Sequence, residues 1–425
     1  MVKPGYKQTE IGTLPEDWKL ATLEDLYSIT SSKRVFQSEW RDSGIPFYRA
    51  REIAVMGEGL PAPKDLYISE EMYERYSKQY GSIKENDVLI TGVGTLGKVY
   101  VVKKDDKFYF KDGNIIWLQW NGQYSSQFLK HLYRTTALTD QVFGNAGGST
   151  VPTYTITNAK ATLVPCPDYL EQCEIAEVLS EIDNLIATSE KQISKKKAIK
   201  QGAMQELLTG KKRLPGFSGE WQAFAFGELF DFIPNNAFTR AQMSDSGKVK
   251  NIHYGDILTK YGAYVDGSSD SIPFISKEVD LSRFADRCYL QSGDIIIADT
   301  AEDEAVGKAL EVVNVNCPIL AGQHTLMCRP KIKFADKFLG YYLNAACYHD
   351  QLLPYIVGTK VSSVSKASVA QTKLVVPEYE EQQAIAEILS NMDAEIDALE
   401  QKLAKYRQLK QGMMQQLLTG KIRLV

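Results

Sequence analysis

Residues 90–102, ITGVGTLGKVYVV, contain two patterns associated with phosphate binding. Three glycines form G-x-G-x-x-G, and the run from Gly92 to Lys98 forms G-x-x-x-x-G-K. Both patterns hold nucleotides through backbone N–H groups at the start of a helix, because those groups lack partners within the helix. Here Lys98 leads into a β-branched and aromatic run, residues 99–102, which predicts a strand. The stretch therefore predicts a β-hairpin with a glycine-rich tip.

The chain also contains an internal repeat. Residues 171–214 and 381–424 align without a gap at an offset of 210, with 23 of 44 positions identical. The glycine-rich loop has a counterpart in residues 293–313, which keeps a Gly-Lys pair at Gly307 and Lys308 but replaces the earlier glycines with acidic residues. A phosphate cradle could not accommodate that change, whereas the tip of a hairpin can. The nucleotide-binding hypothesis therefore fails, and the sequence predicts two copies of one architecture.

Each copy consists of a variable globular block followed by a long helix. The blocks carry short β-branched runs between turn signals and a few helical stretches, which indicates α+β domains with mostly antiparallel sheet. We predict a first globular domain at 1–168, a first spacer helix at 169–214, a second globular domain at 215–378 and a second spacer helix at 379–425.

The two spacer helices are predicted to pair antiparallel as a coiled coil. Apolar residues from Leu389 to Tyr406 alternate spacings of three and four, which is typical of a coiled-coil seam. The first half of each helix is acidic and the second half is basic. Complementing the helix dipole is one explanation of this polarity. Pairing is another, because two such helices match their charges only when they run antiparallel. We therefore expect an internal pseudo-two-fold repeat with one globular domain at each end.

The composition is that of an ordinary soluble protein, with 44% hydrophobic and 24% charged residues. No apolar run reaches the roughly 18 residues of a membrane helix, and a signal peptide is not apparent, so we expect a cytoplasmic protein. The formal net charge of −4 means that any binding of nucleic acid requires local basic surfaces. Cys317, His324 and Cys328 are irregularly spaced, so we expect free thiols and no metal site.

Two similar but diverged domains related by a two-fold axis suit a target that also has a dyad. Duplex DNA is such a target, because half-site spacing on DNA mirrors protein symmetry. Since the two domains differ in sequence, the half-sites that they recognise would differ as well. An adaptor that bridges two protein partners fits the same plan, and the residues alone leave both interpretations open.

Several short motifs add a family resemblance. YEEQQAIAEILSNMDAEIDAL at 379–399, LLTGKIRL at 417–424, PEDW at 15–18 and GFSGEW at 216–221 resemble the specificity subunit of Type I restriction–modification systems. The resemblance covers essentially the whole chain. It implies that each globular domain is a target-recognition domain for one half of a bipartite, asymmetric DNA site. It also implies that the helices set the spacing and dock two methyltransferase subunits.

The resemblance implies three kinds of partner: double-stranded DNA, two methyltransferase subunits and restriction subunits. S-adenosylmethionine, ATP and magnesium would bind to the partner subunits and not to this chain. The residues agree that this chain has no catalytic site of its own. An amino-methyltransferase needs a [DN]-P-P-[FY] element, and the sequence contains no Pro-Pro pair; IPNN at 233–236 does not substitute.

Candidate DNA contacts are basic, hydroxyl and aromatic residues in predicted loops. For each of them a solvated surface charge or a turn residue is an equally good interpretation. Two loops that join glycine to hydroxyl residues are favoured, because they recur at the offset of 210. The candidates are Lys33, Arg34, Arg49, Arg51, Lys98, Ser149 and Thr150 in the first domain, and Arg240, His253, Tyr254, Lys308, Thr359 and Lys360 in the second.

Candidate partner contacts lie near the end of each spacer helix. A glycine inside a helix costs roughly 1 kcal/mol, so Gly202 and Gly412 need a reason. Close contact between helices of this chain is one reason, and a crossing point for a partner's helices is another. The apolar residues that follow could be covered by the same partner. These candidates are Gly202, Met204, Leu207, Leu208, Gly412, Met414, Leu417 and Leu418.

Overall fold

The computed structural model describes residues 4–144, 152–302, 305–358 and 361–424. The chain divides into two compact units: Met1–Ser189 with Lys402–Val425 form the first, and Glu190–Gln401 form the second. Each of the two long helices contributes residues to both units. In the described part of the chain, none of the helices has the length and apolar character that a membrane span requires.

The first unit is a mixed α and β structure, as predicted. Its strands are β1 Tyr6–Thr9, β2 Gly12–Pro15, β3 Lys19–Thr22, β4 Ser28–Thr30, β5 Ile45–Tyr48, β6 Tyr67–Ile68, β7 Val88–Thr91, β8 Val99–Val101, β9 Tyr109–Phe110, β10 Ile115–Gln119 and β11 Leu163–Cys166. Its helices are α1 Leu23–Leu26, α2 Ala50–Gly57, α3 Glu70–Tyr80, α4 Ser126–Leu132, α5 Thr136–Gly144, α6 Ile156–Lys160 and the start of α7 Tyr169–Leu207.

Four of these strands form an antiparallel sheet in the order β4-β10-β7-β8, and three more form the sheet β6-β5-β9. The β7–β8 pair is the predicted hairpin, with Ile90 opposite Val99. Every residue of β7 is buried, which explains why its sequence is continuously apolar before Thr91. Because a strand follows Lys98, the glycine-rich loop does not open the helix that a nucleotide loop would need.

The second unit repeats this plan. Its strands are β12 Gln222–Ala225, β13 Phe230–Ile233, β14 Met243–Ser244, β15 Lys250–Ile252, β16 Tyr264–Asp266, β17 Phe274–Ile275, β18 Ile295–Ala298, β19 Thr300–Ala301, β20 Ala309–Val313, β21 Ile319–Ala321, β22 Thr325–Pro330, β23 Ser362–Ser363 and β24 Lys373–Val376. Its helices are α8 Phe226–Leu229, α9 Tyr254–Thr259, α10 Phe338–Leu343, α11 Ala346–His349, α12 Lys366–Gln371 and the start of α13 Tyr379–Leu417.

The main sheet of the second unit has the order β13-β22-β18-β20-β16. Its β18–β20 pair is antiparallel with Ile297 opposite Ala309, and it occupies the position of the β7–β8 hairpin. Unlike the four-stranded sheet of the first unit, this sheet has a parallel edge strand, because β16 pairs with β20 in parallel. The sheets are therefore mostly antiparallel, as the sequence indicates, with local parallel pairs.

Helices α7 and α13 pair antiparallel, as the ion pairs within each unit show separately. In the first unit, Glu171 of α7 binds Arg423, and Asp183, about three turns further along α7, binds Lys410. Residues later in α7 therefore pair with residues earlier in the second spacer segment, as antiparallel packing requires. In the second unit, Lys200 of α7 binds Asp393 at 2.5 Å. This pair is the copy of Asp183–Lys410 at the offset of 210. The acidic first half of each helix therefore meets the basic second half of the other.

An arginine fastens each helix end to the other repeat. Arg423 binds Glu171 at 2.6 Å, and Trp18 Nε1 donates to the same carboxylate at 3.1 Å. We call these three residues the first arginine clamp. The second unit repeats it as the second arginine clamp, in which Arg213 and Trp221 both donate to Glu381. The residues before each arginine turn through a glycine with positive φ, Gly420 at 66° and Gly210 at 68°.

Candidate nucleic-acid interface

The loop after β4 presents two of the predicted cations. Lys33 and Arg34 are exposed, and the backbone beneath them is held because Lys33 N donates to the Tyr109 hydroxyl at 2.9 Å. Arg34 Nε lies 3.1 Å from Asp112, yet its side chain keeps 69% of its exposure. The Lys33 ammonium lies 4.8 Å from the centre of the Tyr80 ring. Both side chains are therefore held on a fixed loop with donors open to solvent.

Arg49 and Arg51 flank the start of α2 and converge on one buried carboxylate. Glu52 accepts from Arg49 at 3.0 Å and from Arg51 at 2.9 Å, and its side chain is only 3% exposed. Burial alone would raise the pKa of Glu52, but the hydrogen bonds from both arginines hold it below its ordinary value. Arg49 is half-buried by this pair, whereas Arg51 remains exposed and its Nη2 also lies 3.1 Å from the exposed Asp65. Arg51 is the better placed of the two for an outside anion, which would compete with Asp65.

The second unit has the same arrangement with one arginine. Arg240 Nη1 lies 2.9 Å from the buried carboxylate of Asp256 and stays exposed. His253 caps α9, because its Nδ1 accepts from Gly255 N at 3.3 Å, and it is buried. The ring of Tyr254 is only half-buried. Arg240 and Tyr254 therefore remain accessible, while His253 mainly fixes the start of the helix.

The structure adds a residue that the sequence did not single out as a contact. His324 lies in the turn between β21 and β22 with a φ of 56°, a backbone conformation that residues other than glycine adopt uncommonly. Its ring is 5.3 Å from that of Tyr254, and Asn235 Nδ2 donates to the neighbouring Gly322 O at 3.1 Å. A positive φ leaves no signature in a single sequence, so this exposed histidine emerges only from the structure.

The two lysines that follow a glycine differ in their environments. Lys98 Nζ binds Glu58 at 2.6 Å and is partly exposed. Lys308 Nζ donates to the carbonyls of Leu258 and Tyr261 at 3.2 and 2.9 Å, and burial lowers its pKa. The structure thus gives Lys308 a role inside the unit, and a DNA contact of that residue stays a prediction.

The two favoured glycine–hydroxyl loops cannot be placed. Ser149, Thr150, Thr359 and Lys360 lie outside the described residues. The strand that follows the second loop is described: β23 pairs antiparallel with β19, with Thr300 opposite Ser363. Contacts by the four loop residues therefore stay predictions.

The predicted partner surface changes once burial is known. Leu417 and Leu418 belong to the core of the first unit, together with Trp18 and Phe128. Leu207 and Leu208 are equally buried, in the core of the second unit. These four side chains cannot form the exposed apolar ends that we expected, because they stabilise the units from within.

The two helix glycines lie in a different environment. A Cβ added at Gly202 or at Gly412 would meet nothing within 4 Å, so close contact with another helix of this chain does not explain either glycine. One turn earlier, Ile199 and Leu409 are exposed at equivalent positions. Met204 and Met414 are half-buried beside them. Contact with a partner protein therefore remains a candidate explanation for the glycine and the exposed apolar residue in each helix.

Among the described residues, His, Cys, Asp and Glu side chains form no group of three that could hold a metal ion. The imagined trio is separated by burial: Cys328 lies in the core, whereas His324 is exposed. Cys317 Sγ donates to Gly267 O at 3.7 Å. All six cysteines are free thiols, two of them buried and four half-buried.

Comparison with known proteins gives a consistent result. The family model described as Type I restriction modification DNA specificity domain matches residues 15–198 and again residues 218–408. The chain is 22% identical over 440 residues to the Type I restriction enzyme MjaVIII specificity subunit of Methanocaldococcus jannaschii, covering 99% of this chain and 96% of that one. It is 24% identical to the putative Type I restriction enzyme MjaX specificity subunit of the same organism, covering 99% and 97%.

Solved structures show the same fold. The S subunit of the Type I restriction–modification system from M. genitalium aligns with a TM-score of 0.60 and 13% identity, covering 94% of this chain and 96% of that one. A chain from a structure entitled "Structural basis underlying complex assembly and conformational transition of the type I R-M system" aligns with a TM-score of 0.51 and 17% identity, covering 96% and 99%.

Proposed function

Since the chain belongs to the family of Type I restriction modification DNA specificity domains, we propose that it is the sequence-specific DNA-binding subunit of such a complex. Each globular domain recognises one half of a bipartite, asymmetric DNA site. The observation that carries this proposal is a repeated frame with unlike surfaces. Both units have an arginine clamp and an arginine beside a buried carboxylate, yet the exposed loops around them carry different residues.

In this proposal the repeated ion pairs hold each domain rigid, and the exposed loops determine which DNA sequence it recognises. Arg51 and Arg240 each lie beside a buried carboxylate. The carboxylate fixes one edge of the guanidinium and leaves other N–H donors of the group free. Such fixed arginines suit phosphate oxygens or the O6 and N7 acceptors of guanine. In addition, the first domain offers the exposed Lys33 and Arg34, whereas the second offers Tyr254 and His324. Two different half-sites follow from these two sets.

Two methyltransferase subunits dock on the helices in this proposal. Gly202 and Gly412 have open space where a side chain would be, and the exposed Ile199 and Leu409 lie on the same face one turn earlier. A partner's backbone can approach a glycine closely while an apolar side chain beside it is buried. Because the feature occurs once per repeat, the stoichiometry is two. Restriction subunits join through the methyltransferases.

Chemistry belongs to the partners in this proposal. The methyltransferase subunits bind S-adenosylmethionine and modify adenine, and the restriction subunits use ATP and magnesium; this chain binds none of these cofactors. The complex acts on DNA in the cytoplasm. The lack of a [DN]-P-P-[FY] element supports a chain without catalysis. Incubation of the purified chain with DNA and labelled S-adenosylmethionine tests this, and transfer of label by the chain alone would contradict it.

The test of the function itself is binding. The chain, combined with its methyltransferase subunits, is incubated with a library of duplexes in which random half-sites are separated by varied spacers, and bound duplexes are sequenced. We expect enrichment of one asymmetric bipartite sequence with one preferred spacer. An adaptor that only bridges two proteins would enrich no sequence, and that result would refute the proposal.

A further inference from the structure

The first unit contains a cavity of about 660 Å³ beside the glycine-rich loop. The loop forms one wall through Gly94 and Gly97, both with positive φ. The end of α2 forms a second wall at Gly57 and Glu58, and α4 and α5 close the remaining side. Neither the hairpin nor the proposed DNA contacts described above explain why this space is open.

Positive charge dominates the lining. Lys98, Lys130 and Arg134 face the cavity with a single carboxylate, Glu58. Glu58 binds Lys98 at 2.6 Å and lies 3.7 Å from Arg134. Arg134 also binds Asp183 at 3.0 Å, which in turn binds Lys410. Glu58 and Asp183 thus form ion pairs with three cations, Lys98, Arg134 and Lys410, and the remaining cation of the lining is Lys130.

Lys130 is the cation left over. Its side chain is half-buried on α4, and no carboxylate or carbonyl in the described part of the chain pairs with its ammonium group. Burial lowers its pKa and the charge of the neighbouring Arg134 lowers it further, whereas the more distant carboxylates of Asp183 and Glu58 act in the opposite direction. A half-buried lysine that makes no direct hydrogen bond or ion pair carries a desolvation cost, and an anion in the cavity would offset that cost.

The second unit shows that the fold does not require the cavity. Position 340 corresponds to Lys130 at the offset of 210, and it is glycine. A Cβ there would lie 2.2 Å from Ala263 O, so backbone fills the space that is open in the first unit. Lys308, the counterpart of Lys98, is bound to the carbonyls of Leu258 and Tyr261 at the end of α9. The equivalent region is therefore closed by the chain itself.

We propose that this cavity binds the phosphate group of a nucleotide, with Lys130 as the cation that meets it. Lysine suits a phosphate as a compact charge with three donors. Phe143 lies at the rim with 56% of its surface exposed, where a base can stack on its ring. The phosphate comes from the DNA backbone of the first half-site or from a free mononucleotide. The DNA source rests on the proposed function, and the mononucleotide source does not.

The experiment has two arms on the full chain. Adenosine 5′-monophosphate is titrated calorimetrically, and DNA carrying the enriched bipartite site is titrated in the presence of methyltransferase subunits at several salt concentrations. Lys130→Met is compared with Lys104→Met, which removes an exposed lysine of the same unit. We expect Lys130→Met to lower the affinity for one of the two ligands about tenfold, as the loss of one charge-assisted hydrogen bond implies. For DNA, the slope of log K against log salt falls by about one.

A second measurement needs no variant and therefore does not depend on folding. Wild-type protein is treated with an amine-modifying reagent with and without each ligand, and we expect protection of Lys130 but not of Lys104. The proposal is overturned if neither ligand protects Lys130 and both variants bind like wild type. Failure of the proposed function has a different signature, because the wild type would then select no DNA whatever the state of Lys130.

Discussion

Arg423 Nε lies 2.6 Å from Glu171 Oε1, which ties the last described residues of the chain to the first turn of α7. Arg213 makes the same contact with Glu381 at 2.7 Å in the second unit. In both cases the carboxylate is almost wholly buried, so the arginine neutralises a charge that the fold could not otherwise keep. Each globular domain is therefore completed by the residues that end the long helix of the other repeat.

The first prediction follows from this clamp. Arg423→Ala leaves Glu171 buried with Trp18 as its remaining donor, so we expect the free energy of unfolding of the first unit to fall by about 3 kcal/mol. Urea denaturation monitored by tryptophan fluorescence measures this change. Lys421→Ala, which removes an exposed charge from the same tail, is the control and should have little effect. Equal losses in the two variants would mean that the clamp does not stabilise the unit.

A second prediction concerns the pairing of the helices. A double-mutant cycle with Asp183→Ala and Lys410→Ala should give a coupling energy of about 1 kcal/mol, because both side chains are partly buried. The control cycle is Lys197 with Glu400, which are more exposed and should couple by less than about 0.5 kcal/mol. Urea denaturation supplies both values. No coupling between Asp183 and Lys410 would contradict the antiparallel register.

A third prediction is a dependence of stability on pH. Burial raises the pKa of Glu311 to about 7, from an ordinary value of 4.5. Because the folded pKa is the higher one, its favourable contribution is complete below about 4.5 and is lost as pH rises through 7. The change amounts to about 3 kcal/mol for the second unit. Unfolding measured between pH 5 and pH 8.5 should show it.

The variant Glu311→Gln should lose less stability than wild type over the same interval, because it carries no titrating proton. Glu278→Gln removes an exposed carboxylate from the same unit and should follow the wild-type curve. Identical slopes for wild type and Glu311→Gln would show that this carboxyl is already ionised in the fold at low pH.

A fourth prediction tests whether the helices set the spacing. Seven residues inserted after Ser194 and after Ala404 preserve the coiled-coil seam and lengthen it by about 10 Å. The preferred spacer should then grow by about three base pairs, with some loss of affinity because one half-site rotates around the duplex. Binding is measured on duplexes whose spacer varies one base pair at a time. Strong binding at the original spacer would show that the helices do not set the distance.

An insertion in one helix alone is the control. It leaves one strand of the coiled coil longer than its partner, so we expect the pair to distort and binding to weaken without a new preferred spacer. A single insertion that shifted the optimum as cleanly as the double insertion would argue against paired helices.

Much of the fold could be predicted from the internal repeat and from the spacing of apolar residues. The hairpin at the glycine-rich loop, the two helices and their antiparallel pairing follow from patterns of apolar and charged residues, which report local structure. Leu417 and Leu418 were misjudged as outward-facing because a helix end looks the same in sequence whether a domain or a partner covers it. Only the fold reveals that residues some 400 positions earlier in the chain bury them.

The candidate site was less accessible to sequence. Arg51 and Arg240 could be proposed from residue type, but their buried carboxylate partners come from tertiary contacts. His324 is exposed in a turn where its φ is positive, and residue type encodes neither property. The cavity at Lys130 depends on the absence of a backbone segment that fills the equivalent space in the second unit, and a single sequence does not show an empty volume.

We propose that the two domains recognise two half-sites independently. The most direct test exchanges residues 1–168 for the first block of another family member that retains Trp18, so that the first arginine clamp can form. Methylated adenines are then mapped by sequencing DNA from cells that carry the chimera and its methyltransferase subunits. We predict that one half of the bipartite site changes while the other half and the spacer stay as in wild type. A change in both halves together would mean that the two domains do not recognise their half-sites independently.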